Sequence, residues 1–273
     1  MTASAQAAGT AGFGSKLAGR VALVTGGTRG IGAAISRSLA NQGATVAAGY
    51  GRDAEHAQEF LAQIRAEGVN GSIHQGNIGV GDDCRRVVRE VVEQHGSLDI
   101  LINNAGITID RTVLNLTDSD WEKVLAVNLS GAFFLSQEAL KGMVERGTGR
   151  IINVSSIIGE VGNIGQANYA ASKSGLFGLT KTLAREAAFM LHKAGKLEDN
   201  PIGITVNTIT PGYVETDMVD TVPQKVIDRI MDQIPLRRFA RPEEIARVVH
   251  FLAADTSGYI TGQVWGVNGG MDM

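Results

Sequence analysis

From Arg20 onward, short apolar runs rich in β-branched residues alternate with longer stretches whose apolar positions recur at helical spacing. The runs are Val21–Thr25, Ala44–Gly49, Gly71–His74, Asp99–Asn103, Arg150–Ser155, Ile204–Ile209 and Gln263–Val267. Between them, Ile31–Gln42, Ala54–Glu67, Asp82–His95, Trp121–Glu145 and Ala167–Leu191 read as helices. Strands separated by helix-length segments need right-handed crossovers, which give a parallel sheet covered by helices on both faces. The runs are nearly continuous in apolar character, as expected of strands buried on both sides. The pattern predicts an α/β fold: a doubly wound, seven-stranded parallel sheet, with no internal repeat or linker to divide it.

Two segments break the rhythm. Pro211–Pro235 separates the last two strands and is too long for a simple connection, which suggests a lid or binding loop. His192–Gly203 is polar and reads as an exposed insertion after a long helix. The opening MTASAQAAGTAGFGS lacks the basic start and apolar run of a signal peptide. Residues 1–16 therefore read as a flexible tail before a single domain spanning 17–273.

Composition narrows the function classes. A chain of 273 residues with 44% hydrophobic content can bury a substantial core. A net charge of −3, with both signs scattered, gives no footprint for nucleic acid or an anionic membrane. No apolar stretch approaches the ~20 residues that span a bilayer. The single cysteine, Cys84, excludes an intramolecular disulfide and a cysteine-rich metal site. The 5 histidines are scattered, so no metal site is expected. These features together predict a cytoplasmic protein.

The first strand runs into Thr25-Gly26-Gly27-Thr28-Arg29-Gly30-Ile31-Gly32 and then at once into a helix. Such a turn needs glycine to reverse the chain, to let backbone approach a diphosphate and to pack helix against strand. The helix N-terminus adds free N–H groups and partial positive charge. Gly26, Thr28, Arg29, Gly30, Ile31 and Gly32 are thus candidate dinucleotide-binding residues. The second strand ends Gly49-Tyr50-Gly51-Arg52, with no acid until Asp53 to hold the ribose hydroxyls. Arg29 and Arg52 suit a 2′-phosphate, so NADP(H) is favoured. If both are simply solvated surface arginines, NAD(H) stays open.

Tyr169 and Lys173 lie four residues apart on a predicted helix and so share a face. A phenol titrates near ~10, and a neighbouring cation would bring it toward the working range for acid–base catalysis. Ser156 lies where the fifth strand ends, at the edge where ligands bind such sheets. Its hydroxyl could steady a developing alkoxide. Asn128, among apolar neighbours in a long helix, could hold a water that links Lys173 to solvent. Singly, each is an ordinary surface pair or a core amide that satisfies backbone. Their coincidence with the phosphate turn makes the case.

With these residues in place, the chain from about Arg20 to Met273 resembles the short-chain dehydrogenase/reductase family, a single-domain Rossmann fold. The matching motifs are Thr25-Gly26-x-x-x-Gly30-Ile31-Gly32, Asn103-Asn104-Ala105-Gly106, Asn128, Ser156, Tyr169-x-x-x-Lys173 and Pro211-Gly212. The resemblance implies that Tyr169 is the general acid–base and that Lys173 lowers its pKa while binding the nicotinamide ribose. It implies that Ser156 orients the carbonyl and Asn128 completes a proton relay. Asn103, Asn104, Ala105 and Gly106 would line the cofactor at the end of the fourth strand, with Asn77 and Ile78 near the adenine. Asn77 stands where the family often shows an acid. Pro211, Gly212, Val214 and Thr216 would close over the nicotinamide.

Within the family the likeness is to 3-oxoacyl thioester reductases acting on acyl-CoA or acyl-carrier-protein substrates. It rests on Asn104-Ala105-Gly106-Ile107-Thr108-x-Asp110, Gly165-Gln166-Ala167-Asn168-Tyr169, Glu215-Thr216-Asp217-Met218 and Ile234-Pro235-Leu236-x-Arg238. The runs Gly76–Gly79 and Gly142–Gly147 lean toward acetoacetyl-CoA reductases, and His192–Gly203 departs from the short basic turn of carrier-protein reductases. The rival readings are an alcohol, sterol or sugar dehydrogenase and a catalytically silent cofactor-sensing scaffold. The resemblance also implies a homotetramer.

Overall fold

The computed structural model describes residues 16–199, 203–216 and 224–273. Its strands are β1 (Val21–Val24), β2 (Thr45–Tyr50), β3 (Gly71–Gln75), β4 (Ile100–Asn103), β5 (Thr148–Val154), β6 (Gly203–Pro211) and β7 (Val264–Val267). All seven pair in parallel in the order β3-β2-β1-β4-β5-β6-β7. The strand order reverses between β1 and β4, and crevices form at such a switch point outside the C-terminal ends of the strands.

The helices are α1 (Gly30–Ala40), α2 (Ala54–Ala66), α3 (Gly81–His95), α4 (Asp118–Leu125), α5 (Gly131–Arg146), α6 (Ile158–Val161) and α7 (Ala167–Lys193). Three more follow within the described residues: α8 (Lys196–Asp199), α9 (Gln224–Gln233) and α10 (Pro242–Ala253). Apolar faces of α3, α5 and α7 (Val87, Leu135, Leu183) cover one side of the sheet. α1 and α10 (Ile35, Leu39, Ile245, Val249) cover the other. The core is two layers of side chains, one above and one below the strands, as the continuous apolar runs require.

The long helix expected over Trp121–Glu145 differs in an instructive way. It begins at Asp118, where Thr117 and Asp120 form a reciprocal cap. A π-helical turn, Ala126–Ser130, then interrupts it before α5. Such a turn carries one residue more than an α-turn and is frequent at functional sites. Asn128 sits at its centre, only 2% exposed.

The two irregular segments are part helix. α7 reaches Lys193, and α8 follows after a reversal at Gly195 (φ +67°). Residues 200–202 of the expected insertion lie outside the described residues. Within Pro211–Pro235, α9 presents no buried residue, while residues 217–223, including Asp217 and Met218, lie outside the description. The tail over residues 1–15 does too. No described helix is long and apolar enough to cross a membrane.

At the opposite end of the sheet, Asp255 joins Arg20 (2.6 Å) and the buried Arg150 (3.3 Å). Arg150 also donates to the carbonyls of Gly149 and Gly203. This cluster locks the start of β5 to the segment after α10.

Candidate active site

The turn after β1 is built around glycine. Gly26 takes φ +61°, a left-handed value that favours glycine, and a β-carbon at Gly32 would overlap the Gly26 carbonyl. Thr25 ties this turn to the end of β4: its hydroxyl accepts from the N–H groups of Asn104 (3.0 Å) and Ala105 (2.9 Å). The Asn104 amide returns a hydrogen bond to the Thr25 carbonyl (2.8 Å). Two strand ends from opposite sides of the switch point are thereby fixed as one wall. α1 begins at Gly30 with no side-chain cap and no acid in its first turn. Its N-terminal N–H groups and positive dipole end are left for an anion.

The other expected cofactor residues follow the C-terminal ends of the neighbouring strands. Gly106 lies where a β-carbon would approach the Lys173 ammonium (3.3 Å) and the Asn128 amide oxygen (3.4 Å). The Thr216 methyl lies near Gly30 (3.6 Å from a β-carbon there), so the segment leaving β6 reaches the phosphate turn. Pro211 and Gly212 hold that segment, the first accepting from Ile157 N–H and the second donating to Val267. Val214 is buried and bridges to Ala240. Arg29 and Arg52 are exposed, and neither forms an ion pair among the described residues. Asp53 is already in use, capping α2 by accepting from His56 N–H (3.1 Å). Asn77 accepts from Gly79 N–H (3.1 Å), which shapes the turn after β3, and Ile78 packs beside Gly131.

Asn103 differs from its neighbours. Its amide is buried and donates to Ser136 (3.1 Å) and Asn153 (2.8 Å). The chain of contacts continues through Asn153 to Thr180 (2.7 Å) and on to Thr208 (2.6 Å). Asn103 thus clamps β4, β5 and β6 beneath the site and does not line it, because its place in the strand turns it to the α5 and α7 face.

The four chemical residues come together at the end of β5. Tyr169 stands in the first turn of α7, half-buried, and hydrogen-bonds Ser156. Ser156 follows β5, and its oxygen also accepts from Ile158 N–H (3.2 Å). The Lys173 ammonium lies 5.6 Å from the centre of the Tyr169 ring and donates to the Val154 carbonyl (2.8 Å). Burial drives the Lys173 pKa down to about 8.

Two expectations change here. Burial pushes the Tyr169 phenol up, the Ser156 hydrogen bond pulls it down, and the charge of Asp110 adds to the rise. The Lys173 ammonium is turned to the Val154 carbonyl, and burial outweighs the depression expected from its charge. Asn128 spends both amide protons on neighbours: it donates to the Ile107 carbonyl (2.9 Å) and Ser172 (3.0 Å), and its oxygen accepts from Ile107 N–H (2.8 Å). Its side chain therefore positions the β4–α4 loop and leaves no amide proton for a water.

Sequence reasoning assigned no role to Thr25, Asp110, Gln166 or Asn168. Asn168 donates to the carbonyls of Ile109 (3.2 Å) and Asp120 (3.4 Å), seating the start of α7 against the β4–α4 loop. Its position directly before Tyr169 was the available signal. No group of histidine, cysteine and acidic residues among the described residues could hold a metal ion.

This geometry can bind an anionic dinucleotide across the switch point and present a hydroxyl pair to a carbonyl oxygen. A family model described as short chain dehydrogenase matches residues 20–226. The chain is 44% identical over 252 residues (92% of this chain, 98% of the relative) to 3-oxoacyl-[acyl-carrier-protein] reductase FabG of Staphylococcus aureus. It is 45% identical over 255 residues (93% and 99%) to acetoacetyl-CoA reductase of Allochromatium vinosum. It is 42% identical over 260 residues (94% and 99%) to the FabG reductase of Thermotoga maritima.

Proposed function

Because this chain belongs to the short-chain dehydrogenase family, we propose that it reduces the 3-keto group of an acyl-CoA or acyl-carrier-protein thioester with NADPH. The observation that carries this reading is the meeting of Tyr169, Ser156 and Lys173 at the end of β5, opposite the uncapped start of α1. The relatives named for acyl-carrier-protein and CoA substrates support the thioester class.

The residues fit a nicotinamide dinucleotide. The glycine turn leaves room for backbone to approach a diphosphate, and Gly106 opens the floor beside Lys173. Arg29 and Arg52 stand free to meet a 2′-phosphate, while Asp53 is committed to capping α2. This supports NADPH over NADH. Bound at this turn, the nicotinamide would supply the hydride to the keto carbon.

The chain's own groups do the rest. Ser156 and Tyr169 donate hydrogen bonds to the keto oxygen and hold it in place. As negative charge builds there, Tyr169 gives up its phenolic proton. Its raised pKa keeps that proton available at neutral pH. The Lys173 ammonium stabilises the phenolate left behind and lowers its proton affinity as that charge develops. Asn128 and Lys173 both lie beside Gly106, and a water held there would resupply the proton through Lys173.

Exposed Phe133 on α5 and Phe189 on α7 support assembly into a homotetramer through these helices. The absence of any described helix suited to the bilayer is consistent with the cytoplasmic reading.

The test is to follow loss of reduced-nicotinamide absorbance with acetoacetyl-CoA and with acetoacetyl-carrier protein, using NADPH, NADH and the Tyr169→Phe variant. Turnover with NADPH that is weak with NADH and lost in the variant supports the assignment. NADPH binding without turnover on either thioester overturns the substrate class and directs the search to alcohols, sterols and sugars. Failure to bind any nicotinamide overturns the oxidoreductase reading.

A further inference from the structure

The turn between β3 and α3 is held by a carboxylate that the reaction scheme above does not use. Asp83, in the first turn of α3, accepts from the Asn77 N–H (2.8 Å). The Arg86 guanidinium fixes that carboxylate, reaching Asp83 (3.3 Å), the Gln75 carbonyl at the end of β3 (3.0 Å) and Glu90 (2.6 Å). The turn's own carbonyls are taken as well: that of Asn77 accepts from Val80 N–H (2.9 Å) and that of Ile78 from the Cys84 thiol (3.2 Å). Behind them, a β-carbon at Gly131 would overlap the Ile78 carbonyl, so the turn rests directly on α5. The Asn77 side chain differs. Its oxygen takes the Gly79 N–H, while its amide nitrogen has no hydrogen-bond partner among the described residues. With Gly51 at the end of β2, Asn77 lines a cavity of about 550 Å³.

We propose that Asp83 is a positioning residue for the dinucleotide: by holding the Asn77 N–H it presents the free Asn77 amide to the adenine ring. The inference rests on the nicotinamide-dinucleotide reading given above. A dinucleotide whose diphosphate lies at the start of α1 places its adenosine ribose at the end of β2, beside β3. Adenine carries ring-nitrogen acceptors on its edge, and these suit an amide N–H donor. Fixing the backbone at Asn77 before the ligand arrives removes an ordering cost from binding. Arg86 completes the clamp because it ties the Asp83 carboxylate to the last carbonyl of β3. Asp82 supplies the contrast. It shares the first turn of α3, yet its side chain is 98% exposed and meets Arg85 alone (3.4 Å) among the described residues. Both acids favour the helix N-terminus through its dipole, and Asp83 alone also holds the turn.

The experiment compares the full-length protein with Asp83→Ala, Asp83→Asn, Arg86→Met and Asp82→Ala. Calorimetric titration gives the affinity for NADPH and for 2′-phospho-ADP-ribose, which lacks the nicotinamide, and steady-state rates give kcat and KM. Asp83→Ala should bind both ligands about tenfold more weakly, with KM for NADPH raised to match. Its kcat at saturating NADPH and its KM for acetoacetyl-CoA should stay within about twofold of wild type. Asp83→Asn, whose amide oxygen still accepts from the Asn77 N–H, should recover most of the loss. Arg86→Met should weaken both ligands about threefold, and Asp82→Ala should leave both unchanged. Wild-type affinity in Asp83→Ala, a loss no larger than that of Asp82→Ala, or a loss with NADPH that the fragment does not share overturns the proposal. If wild type binds neither NADPH nor NADH, the dinucleotide reading fails instead.

Discussion

Replacing Lys173 with methionine should make the protein inactive yet no less stable at neutral pH. The ammonium is 4% exposed, and burial lowers its pKa from 10.5 to about 8. That gap corresponds to about 3 kcal/mol by which the folded state disfavours the charge. Because the folded pKa is the lower one, the unfolded chain binds more protons between about pH 8 and 10.5. Stability associated with this group therefore rises with pH through that window and is lowest below it.

Methionine has similar length and no charge, so at pH 7 it removes the burial penalty. It also strands the Val154 carbonyl, which costs about 1–3 kcal/mol. The net at pH 7 is a gain of about 1 kcal/mol, or a rise of about 2–4 °C in Tm. At about pH 9.5 the wild type has recovered about 2 kcal/mol by deprotonation, so the order reverses and the variant melts about 2–4 °C lower. Turnover should fall at least about a hundredfold at both pH values. Calorimetric scans at the two pH values, with steady-state rates alongside, check both halves. A variant destabilised equally at both, or one that keeps a tenth of the activity, would refute a buried ammonium that serves catalysis at the expense of stability.

Three other perturbations follow from the same geometry. Gly32→Ala places a methyl group against the Gly26 carbonyl and should weaken NADPH binding at least about tenfold while leaving a folded protein, as titration of nucleotide fluorescence would read. Asp255→Ala leaves Arg150 with only its carbonyl partners and should cost about 2 kcal/mol in urea unfolding, with kcat unchanged because the cluster lies at the far end of the sheet. Equal stability, or a large loss of kcat, would count against that role. Burial also lowers the pKa values of His74, His95 and His250 below 6.5, so their contribution is present above that pH and is lost as pH falls through their folded values. Ser72 bonds both His74 (2.8 Å) and His95 (2.7 Å) with one hydroxyl, whose single proton serves at most one of the two rings. Thermal scans from pH 7.5 to 5.5 should show falling Tm, and a flat or rising profile would contradict this.

Much of the fold was legible because its strands are buried on both faces and bounded by turn residues, so each apolar run marked a strand within a residue or two. β5 and β6 are longer than expected because their register extends pairing from Thr148 with Gly203 to Val154 with Ile209, a property of the partner strand. α10 was not among the expected helices, although it starts at Pro242 followed by Glu243 and Glu244, with Glu244 accepting from Arg241 N–H (2.8 Å). The π turn was invisible: side-chain periodicity across Trp121–Glu145 does not reveal one extra residue in the backbone.

The site divides in the same way. The spacing of Tyr169 and Lys173 and the glycines of the first turn are local patterns, and both were readable. Where the Lys173 ammonium goes depends on the Val154 carbonyl, nineteen residues away in sequence. Asp110 and Gln166 are 56 residues apart and meet only because β4 and β5 are neighbours in the sheet. Asn103 and Asn104 are adjacent and chemically alike, yet the strand turns one into the core and the other toward the phosphate turn.

A 3-keto thioester reductase that uses Tyr169 as its proton donor must deliver the nicotinamide hydride to the third carbon of its substrate. The most direct test is to incubate the protein with acetoacetyl-CoA and NADPH deuterated at its reactive carbon, and to locate the label in the product by mass spectrometry. Wild type should form 3-hydroxybutyryl-CoA carrying deuterium on its third carbon, and Tyr169→Phe should not. Unlabelled product, or equal labelling by the variant, would contradict it.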